Sequence, residues 1–280
     1  MITTHLLKND MKVTIFTSNS LRHKNLINSI SRICNNCYAI IESKTLFPGK
    51  VDDFFKKSKL HHKYFNEVEK SEKFFFKNNN FIEKNVKTTV IKQGDLNLLK
   101  KNDLKAALKS DLYIVFGSSY IKGWLIKFLM KKKAINIHMG LSPFYRGSSC
   151  NFWAMYDENP NYVGATIHYL SEGLDSGKII SHCLPNYKEK NFFRYTMSSV
   201  KSAHNCLRYL IYSKKLFKLK LKKQNKIYQI RYSKKNEFNE KILKKFFKIS
   251  KAITKKEKIG GDYLLKDQLV NPFYYNKKEV

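Results

Sequence analysis

Acidic residues are scarce in this 280-residue chain: 22 Asp and Glu stand against 54 Lys and Arg, a formal charge of +32. Arginine is scarcer still, at six, so 48 of the basic residues are lysine. Alanine numbers eight against 25 asparagines. A lysine bias with abundant asparagine is what an A/T-rich coding sequence produces, and about half of the positive charge reads as that drift. The remainder is a field that attracts anionic substrates, nucleic acid or membrane surfaces. Long apolar runs are absent. Stretches such as Leu112 to Phe116 fall far short of the roughly 20 residues that span a bilayer, and the amino end has no hydrophobic signal core. Cysteines number five, an odd count that suits a reducing cytoplasm better than a disulfide framework. Cys34 and Cys37 form a lone Cys-x-x-Cys with no second pair at zinc spacing, so they read as incidental thiols and no metal is expected. Apolar residues make up 42% and aromatics 14%, enough to bury a sizeable core.

The pattern alternates between strand and helix. Lys12–Thr17 is β-branched and apolar and predicts a first strand; Leu26, Ile27, Ile30 and Ile33 predict a helix over 21–33. Strands are expected at 38–42, 88–91, 112–116 and 134–138, and helices at 51–76, 96–108 and 121–130. His61 and His62, within the charged 51–76 stretch, read as surface residues. Such alternation predicts an α/β fold, Rossmann-like, with a mostly parallel sheet and helices on both faces. After Pro143 a short helix at 152–156, capped by Ser148 or Ser149, is expected. Two strands at 163–170 and 178–184 and a long amphipathic helix at 192–212 follow. Residues 214–258 hold 18 basic and three acidic residues. The alternation of Phe217, Leu219 and Leu221, then Tyr228, Ile230 and Tyr232, predicts an appended hairpin. Phe238, Ile242, Phe246 and Ile249 predict a final helix. The expected division is a domain at 11–215, with a helical insert near 51–77, and a lysine-rich extension at 216–280.

Chemistry concentrates between Asn136 and Asp175. Asn136 and His138 are two apart at a strand end and project from one face, where open α/β sheets bind ligands. The chain then turns through Gly140, Pro143 and Gly147. Leu174-Asp175-Ser176-Gly177 sets a carboxylate in the turn between two later strands. An amide and an imidazole can hold an oxyanion; a carboxylate can orient the imidazole and assist proton removal from an amine. No serine nucleophile elbow is visible, so direct attack by the acceptor is the simpler course.

The series Asn136-Ile137-His138, Leu141 to Gly147, Gly164 to His168 and Leu174 to Ile180 resembles the 10-formyltetrahydrofolate-dependent formyltransferases. That family includes the glycinamide ribonucleotide, methionyl-tRNA and sugar-nucleotide enzymes. The likeness runs from Lys12 to Leu216 and is firm from Asp111 onward. The resemblance implies the formyltransferase fold, 10-formyltetrahydrofolate as donor, and Asn136, His138 and Asp175 as the catalytic residues. It implies that Asn136 and His138 stabilise an oxyanion while Asp175 orients His138 and a water and assists proton transfer. His168 matches a recurrent family histidine and is given a supporting role, as is Arg146 in the Tyr-Arg-Gly signature. The family's pterin pocket corresponds to Gly117, Ser119, Tyr120 and Ile121 on one loop and to Glu172, Gly173 and Leu174 on another.

The chain departs from the pattern in two places. Gly140 and Ser142 stand where many members have Ser and Leu, which bears on the acceptor side. The loop after the first strand, Thr17 to His23, has no glycine, unlike the phosphate-cradling turn of the ribonucleotide enzymes. Ser18, Ser20 and Arg22 at a helix start can still hold a phosphate. The expected acceptor is therefore a primary amine on a phosphorylated or nucleotide-linked small molecule, with the amino-sugar nucleotide type ahead of glycinamide ribonucleotide. Methionyl-tRNA is an alternative, although the 65 residues from Leu216 onward are short for that branch's barrel. Hydrolysis of the donor is another, set back by the mere ten residues before the first strand. A basic RNA- or membrane-surface-binding protein on an inactive fold is the alternative outside enzymes. Nucleic acid contact through the tail and a homodimer stay open at this point.

Overall fold

Five of the expected strands lie side by side in parallel, and the register at the far edge decides where the chemistry sits. The computed structural model describes residues 9–44, 58–77, 79–253, 259–260, 265 and 267–275. β1 (Asn9–Ser18), β2 (Cys34–Ser43), β3 (Val86–Lys92), β4 (Leu112–Phe116) and β5 (Ile135–His138) are parallel; β7 (Ala165–Tyr169) and β8 (Ile179–Cys183) continue the sheet antiparallel. The order is β3-β2-β1-β4-β5-β7-β8. Strand order reverses between β1 and β4, the point at which ligands bind outside the carboxyl ends of open sheets.

Both faces of β1 are buried, which is why its apolar residues run on rather than strictly alternate. Val13 and Ile15 pack with Leu26, Ile27 and Ile30 of α1 (Leu21–Ser31) and with Val200, Ala203 and Leu207 of α5 (Phe192–Tyr212). Phe16 faces the other layer, with Leu125 and Leu129 of α3 (Gly123–Lys131). α2 (Lys59–Phe76) lies against α1 and α5; the part of the expected 51–76 helix before residue 58 falls outside the described residues. His61 is buried rather than at the surface, because its ring packs edge-on against Phe238.

A third cluster joins α4 (Cys150–Tyr156) to the start of α5 and to α6 (Glu240–Ile253). It holds Phe152, Trp153, Phe192 and Phe246, with Phe152 and Phe246 stacked at 4.6 Å. α6 is the expected last helix. Leu216 and Phe273 reach the first core, and Ile259 and Leu265 the third.

Three further expectations differ from the structure. Residues 96–108 form two short 3-10 turns, Asp95–Leu98 and Ala107–Lys109, rather than one helix. Asp103 accepts the Lys100 N–H at 2.7 Å, a side-chain bond that competes with helical pairing, while Leu96, Leu104 and Ala107 still reach the core. The hairpin is absent from the described part of the tail. β9 (Arg231–Ser233) instead pairs with β6 (Tyr145–Gly147), and Tyr228, Ile230 and Tyr232, expected to pack, face solvent. The other half, near Leu221, makes only an isolated bridge from Lys222 to Ile179. Ser149 precedes α4 but sits at φ 56° and makes no side-chain cap.

His182 and His204 are fully buried, and His23 nearly so. His182 donates from Nε2 to the Ser142 carbonyl (2.8 Å) and accepts the Val270 N–H at Nδ1 (3.0 Å), a neutral, fully paired ring. Burial pushes its pKa down to about 4 and that of His204 to about 3. Both folded values lie below the unfolded value of roughly 6.5, so the unfolded chain takes up protons first. Stability is therefore expected to fall as pH drops from about 6.5 toward 4, by on the order of 1 kcal/mol per pH unit for each ring. Urea midpoints at pH 7.5 and 5.5 will show the loss, and His204→Gln should make the slope shallower.

Candidate active site

β5 is short, and its alternation sends Asn136 and His138 to one face at the carboxyl end. The antiparallel register with β7 sets His168 directly opposite Asn136 and Thr166 opposite His138. The chain leaves β7, turns through 171–178 and returns as β8. Within that turn Asp175 takes φ 49° and brings its carboxylate to Asn136 and His138 of β5 and His168 of β7.

The carboxylate is the hub. Asp175 Oδ2 lies 3.2 Å from His138 Nδ1 and accepts the Gly147 N–H at 3.4 Å. Oδ1 accepts from Asn136 Nδ2 at 3.3 Å. His168 donates from Nδ1 to the Tyr169 carbonyl (2.8 Å), so its Nε2 accepts the second hydrogen of Asn136 Nδ2 at 3.0 Å. Gln224 Nε2 donates to the carbonyls of Asp175 and Gly177, both at 2.8 Å, and so pins the turn. Burial pushes the Asp175 carboxyl up, but His138, His168 and the Gly147 N–H outweigh it and hold the pKa at about 2. The aspartate is thus charged across the neutral range.

His138 is buried, and desolvation lowers its pKa although Asp175 pulls the other way. Its Nε2 lies 3.2 Å from the Tyr145 carbonyl. Both ring nitrogens therefore face acceptors, and a neutral ring has one hydrogen to give. A proton arriving on His138 finds two oxygens waiting for it. Such a ring is able to rest neutral and to take up a proton.

Arg146 donates from Nη2 to the Leu174 carbonyl at 2.6 Å and from Nη1 to Gln229 Oε1 at 3.3 Å. It ties the loop after β5 to the turn that carries Asp175. Gly140 is buried against the His138 ring: a Cβ there would meet His138 Nε2 at 2.6 Å and Cys150 Cβ at 2.5 Å.

The two loops expected to hold the pterin meet each other. Tyr120 donates its hydroxyl to the Glu172 carbonyl at 2.7 Å. Tyr120 and Leu174 are partly exposed, while Ile121 is buried. Gly117 has φ 70°, and a Cβ there would strike His23 Nε2 at 2.4 Å; at Gly173 it would strike Ser176 Oγ at 2.5 Å. Ser119 N–H is held by Glu42, whose other oxygen accepts the Gly94 N–H at 2.8 Å. Glu42 is fully buried and shapes this loop. Sequence reasoning missed it; an acidic residue closing an otherwise apolar strand was the available signal.

A cavity of about 270 Å³ opens on the other side of His138, with Arg22 among its lining residues. Tyr64, Asn151, Phe152 and Phe193 also line it. Ser18, Ser20 and Gly140 do not. Ser18 is buried and donates to the Glu42 carbonyl at 3.0 Å. Ser20 precedes α1 in extended conformation without a side-chain cap. Arg22 pairs with Glu72 of α2 at 2.7 Å, and the Arg22 N–H donates to the same carboxylate at 2.8 Å. Nothing in the sequence marked Glu72 or Tyr64, because their partners lie about 50 or more residues away. Among the described residues, no group of His, Cys, Asp and Glu forms a metal-ligating cluster, and no helix is long and apolar enough to cross a membrane. Cys34 and Cys37 are both buried at β2.

A mostly parallel α/β sheet thus brings an amide, an imidazole and a carboxylate together beside the carboxyl end of β5. Residues 72–192, which include all three, match the family described as formyl transferase. That stretch resembles the formyltransferases. A formyltetrahydrofolate deformylase of Arabidopsis thaliana mitochondria is 31% identical over 80 residues, 29% of this chain and 23% of that protein. The matched stretch thus spans under a quarter of the curated relative. A phosphoribosylglycinamide formyltransferase from Anaplasma phagocytophilum superposes with a TM-score of 0.49 at 19% identity, covering 76% of this chain and 90% of that one. An N-formyltransferase from Helicobacter canadensis, solved with folinic acid and dTDP-3-aminofucose, gives 0.49 at 16% identity, covering 86% and 80%.

Proposed function

We propose that this chain transfers the formyl group of 10-formyltetrahydrofolate to a primary amine carried by a phosphorylated or nucleotide-linked small molecule. The observation that carries the reading is the Asp175 carboxylate seated between His138 and Asn136, within the segment that matches the family. The donor site is assigned to the 117–121 and 172–174 loops. Tyr120 and Leu174 offer partly exposed apolar surface to a flat heterocycle. When bound, the donor supplies an electrophilic formyl carbon.

The chain's own residues do the rest. Asn136 Nδ2 and, once the ring has taken up a proton, His138 Nε2–H are the donors available to an oxygen that gains negative charge. Oxygen takes the Asn136 hydrogens in place of His168 Nε2 or Asp175 Oδ1. Asp175 keeps Nδ1 of His138 aligned and stabilises the ring once it is protonated, which lets the pair accept a proton from the attacking amine. His168 fixes the orientation of the Asn136 amide. Arg146 and Gln224 hold the turn so that the carboxylate does not swing away.

Purified protein, 10-formyltetrahydrofolate and a panel of amines test the reading by release of tetrahydrofolate. With an amine that works, Asn136→Ala and His138→Ala are each expected to lower turnover about a hundredfold or more. Unchanged turnover in both would defeat the assignment. The deformylase named above favours a second reading, in which water replaces the amine. Tetrahydrofolate formed at the full rate with no amine present would support that one instead.

A further inference from the structure

The first turn of α1 has no acidic residue of its own, and Ser20 does not cap it. The anion that a helix start favours is supplied from another helix. Glu72 of α2, buried to 7% exposure, places Oε1 on the Arg22 N–H at 2.8 Å and Oε2 on Arg22 Nη1 at 2.7 Å. One carboxylate thus occupies both the helix-start donor and the guanidinium. These are the groups that a phosphate would use there.

The surroundings are positive. Lys44 is pushed down by burial first and by the Arg22 charge second, with Lys235 adding to the effect. With Glu72 in place, the Arg22 end of the cavity is a neutral ion pair. The walls are aromatic at Tyr64, Phe152 and Phe193 and hydrogen-bonding at Asn151 and Thr196. Such a lining takes the carbon–hydrogen face and the hydroxyls of an uncharged ring. Among the residues that line it, Arg22 is the one Lys or Arg, and Glu72 holds it.

We infer that Glu72 is a specificity-determining residue: it stands in for phosphate at the start of α1, so the cavity beside His138 admits an uncharged, hydroxylated amine and keeps any acceptor phosphate outside. Its acceptor side rests on the formyl-transfer reading. It separates the two acceptor types already named, because a small amine with a phosphate at this helix is refused, whereas a neutral amino-sugar ring with its phosphates farther along is accepted.

Inorganic phosphate titrated calorimetrically into the full chain at low ionic strength tests the inference with no formyl transfer involved. The unaltered protein is expected to show no saturable binding in the millimolar range. Glu72→Ala should bind phosphate in that range, and Glu72→Ala combined with Arg22→Ala should lose the binding again. Saturable binding by the unaltered protein that Arg22→Ala abolishes would overturn the inference. So would a folded Glu72→Ala protein, judged by near-ultraviolet circular dichroism, that ignores phosphate. If Glu72→Ala does not fold, Glu72→Gln keeps the shape and removes the charge; it should bind phosphate at least roughly tenfold tighter than the unaltered chain. No gain there would also overturn it. Should phosphate behave as expected while no amine is formylated, it is the catalytic reading that fails and not the role of Glu72.

Discussion

Asp175→Asn is expected to cut the rate of formyl transfer roughly a thousandfold while the protein stays folded. The substitution keeps size and shape but removes a charge that is present throughout the neutral range, the carboxyl being held at about 2. One side of the new amide can still accept from Asn136 Nδ2. The other side then presents an NH2 to the Gly147 N–H, a clash of two donors, and to His138 Nδ1. That favours the His138 form with its hydrogen on Nε2, and it withdraws the negative charge that stabilises the protonated ring. The cost in stability should be far smaller than the cost in rate. Burial keeps His138 neutral in the resting protein, so losing the carboxylate strands no buried cation. A penalty of about 1–2 kcal/mol for one mispaired buried group is expected. Turnover with a working amine, set beside the urea midpoint, checks both halves. A variant that works at the original rate would remove Asp175 from the chemistry.

Gly177→Ala is expected to be the most damaging single-methyl change in the site. A Cβ at residue 177 would lie 1.7 Å from the Tyr169 carbonyl oxygen. That oxygen is backbone and cannot rotate aside. It also accepts the hydrogen bond from His168 Nδ1 that sets the ring facing Asn136. The strands must part, and His168 must lose its tether as they do. Overpacking against fixed backbone of this severity is expected to cost roughly 3 kcal/mol or more. Gly94→Ala is the useful contrast. Gly94 sits at φ 102° but has open space around its Cβ position, so only backbone strain of about 1 kcal/mol is expected. Denaturation midpoints of the two variants, measured together, separate collision from conformational strain. Similar losses in both would show that the closeness of the β7–β8 turn is not what Gly177 protects.

Local periodicity, turn residues and length were enough for much of this protein. The run of β-branched residues at 12–17, the apolar block Leu112–Phe116 and the helical spacing through Phe192–Tyr212 read directly as elements, because the two strands are apolar throughout, being buried on both faces, and the helix shows one buried stripe at its own period. Asn136 and His138 were legible as a pair for the same reason: a strand's two-residue period puts them on one face whatever lies around it. Where the pattern misled, tertiary contacts had overridden it. Residues 96–108 have the apolar spacing of a helix, but Asp103 bonds the backbone locally and the core takes the leucines from two short turns instead. The alternation of Tyr228, Ile230 and Tyr232 does not make one strand: Tyr228 ends a 3-10 turn, only Tyr232 lies in β9 where it pairs with Tyr145–Gly147, and all three side chains are exposed.

The amino-acid order alone determined an alternating α/β chain and the side chains capable of oxyanion and proton chemistry at the end of β5. Only the folded arrangement decided which distant groups meet: His168 and Asp175, the latter from a turn 39 residues away, at Asn136, Glu42 at the Ser119 N–H and Glu72 at Arg22. Such partners are chosen by burial. A charge or an amide withdrawn from water must find its complement wherever the packed layers bring one close, and no local spacing records that choice.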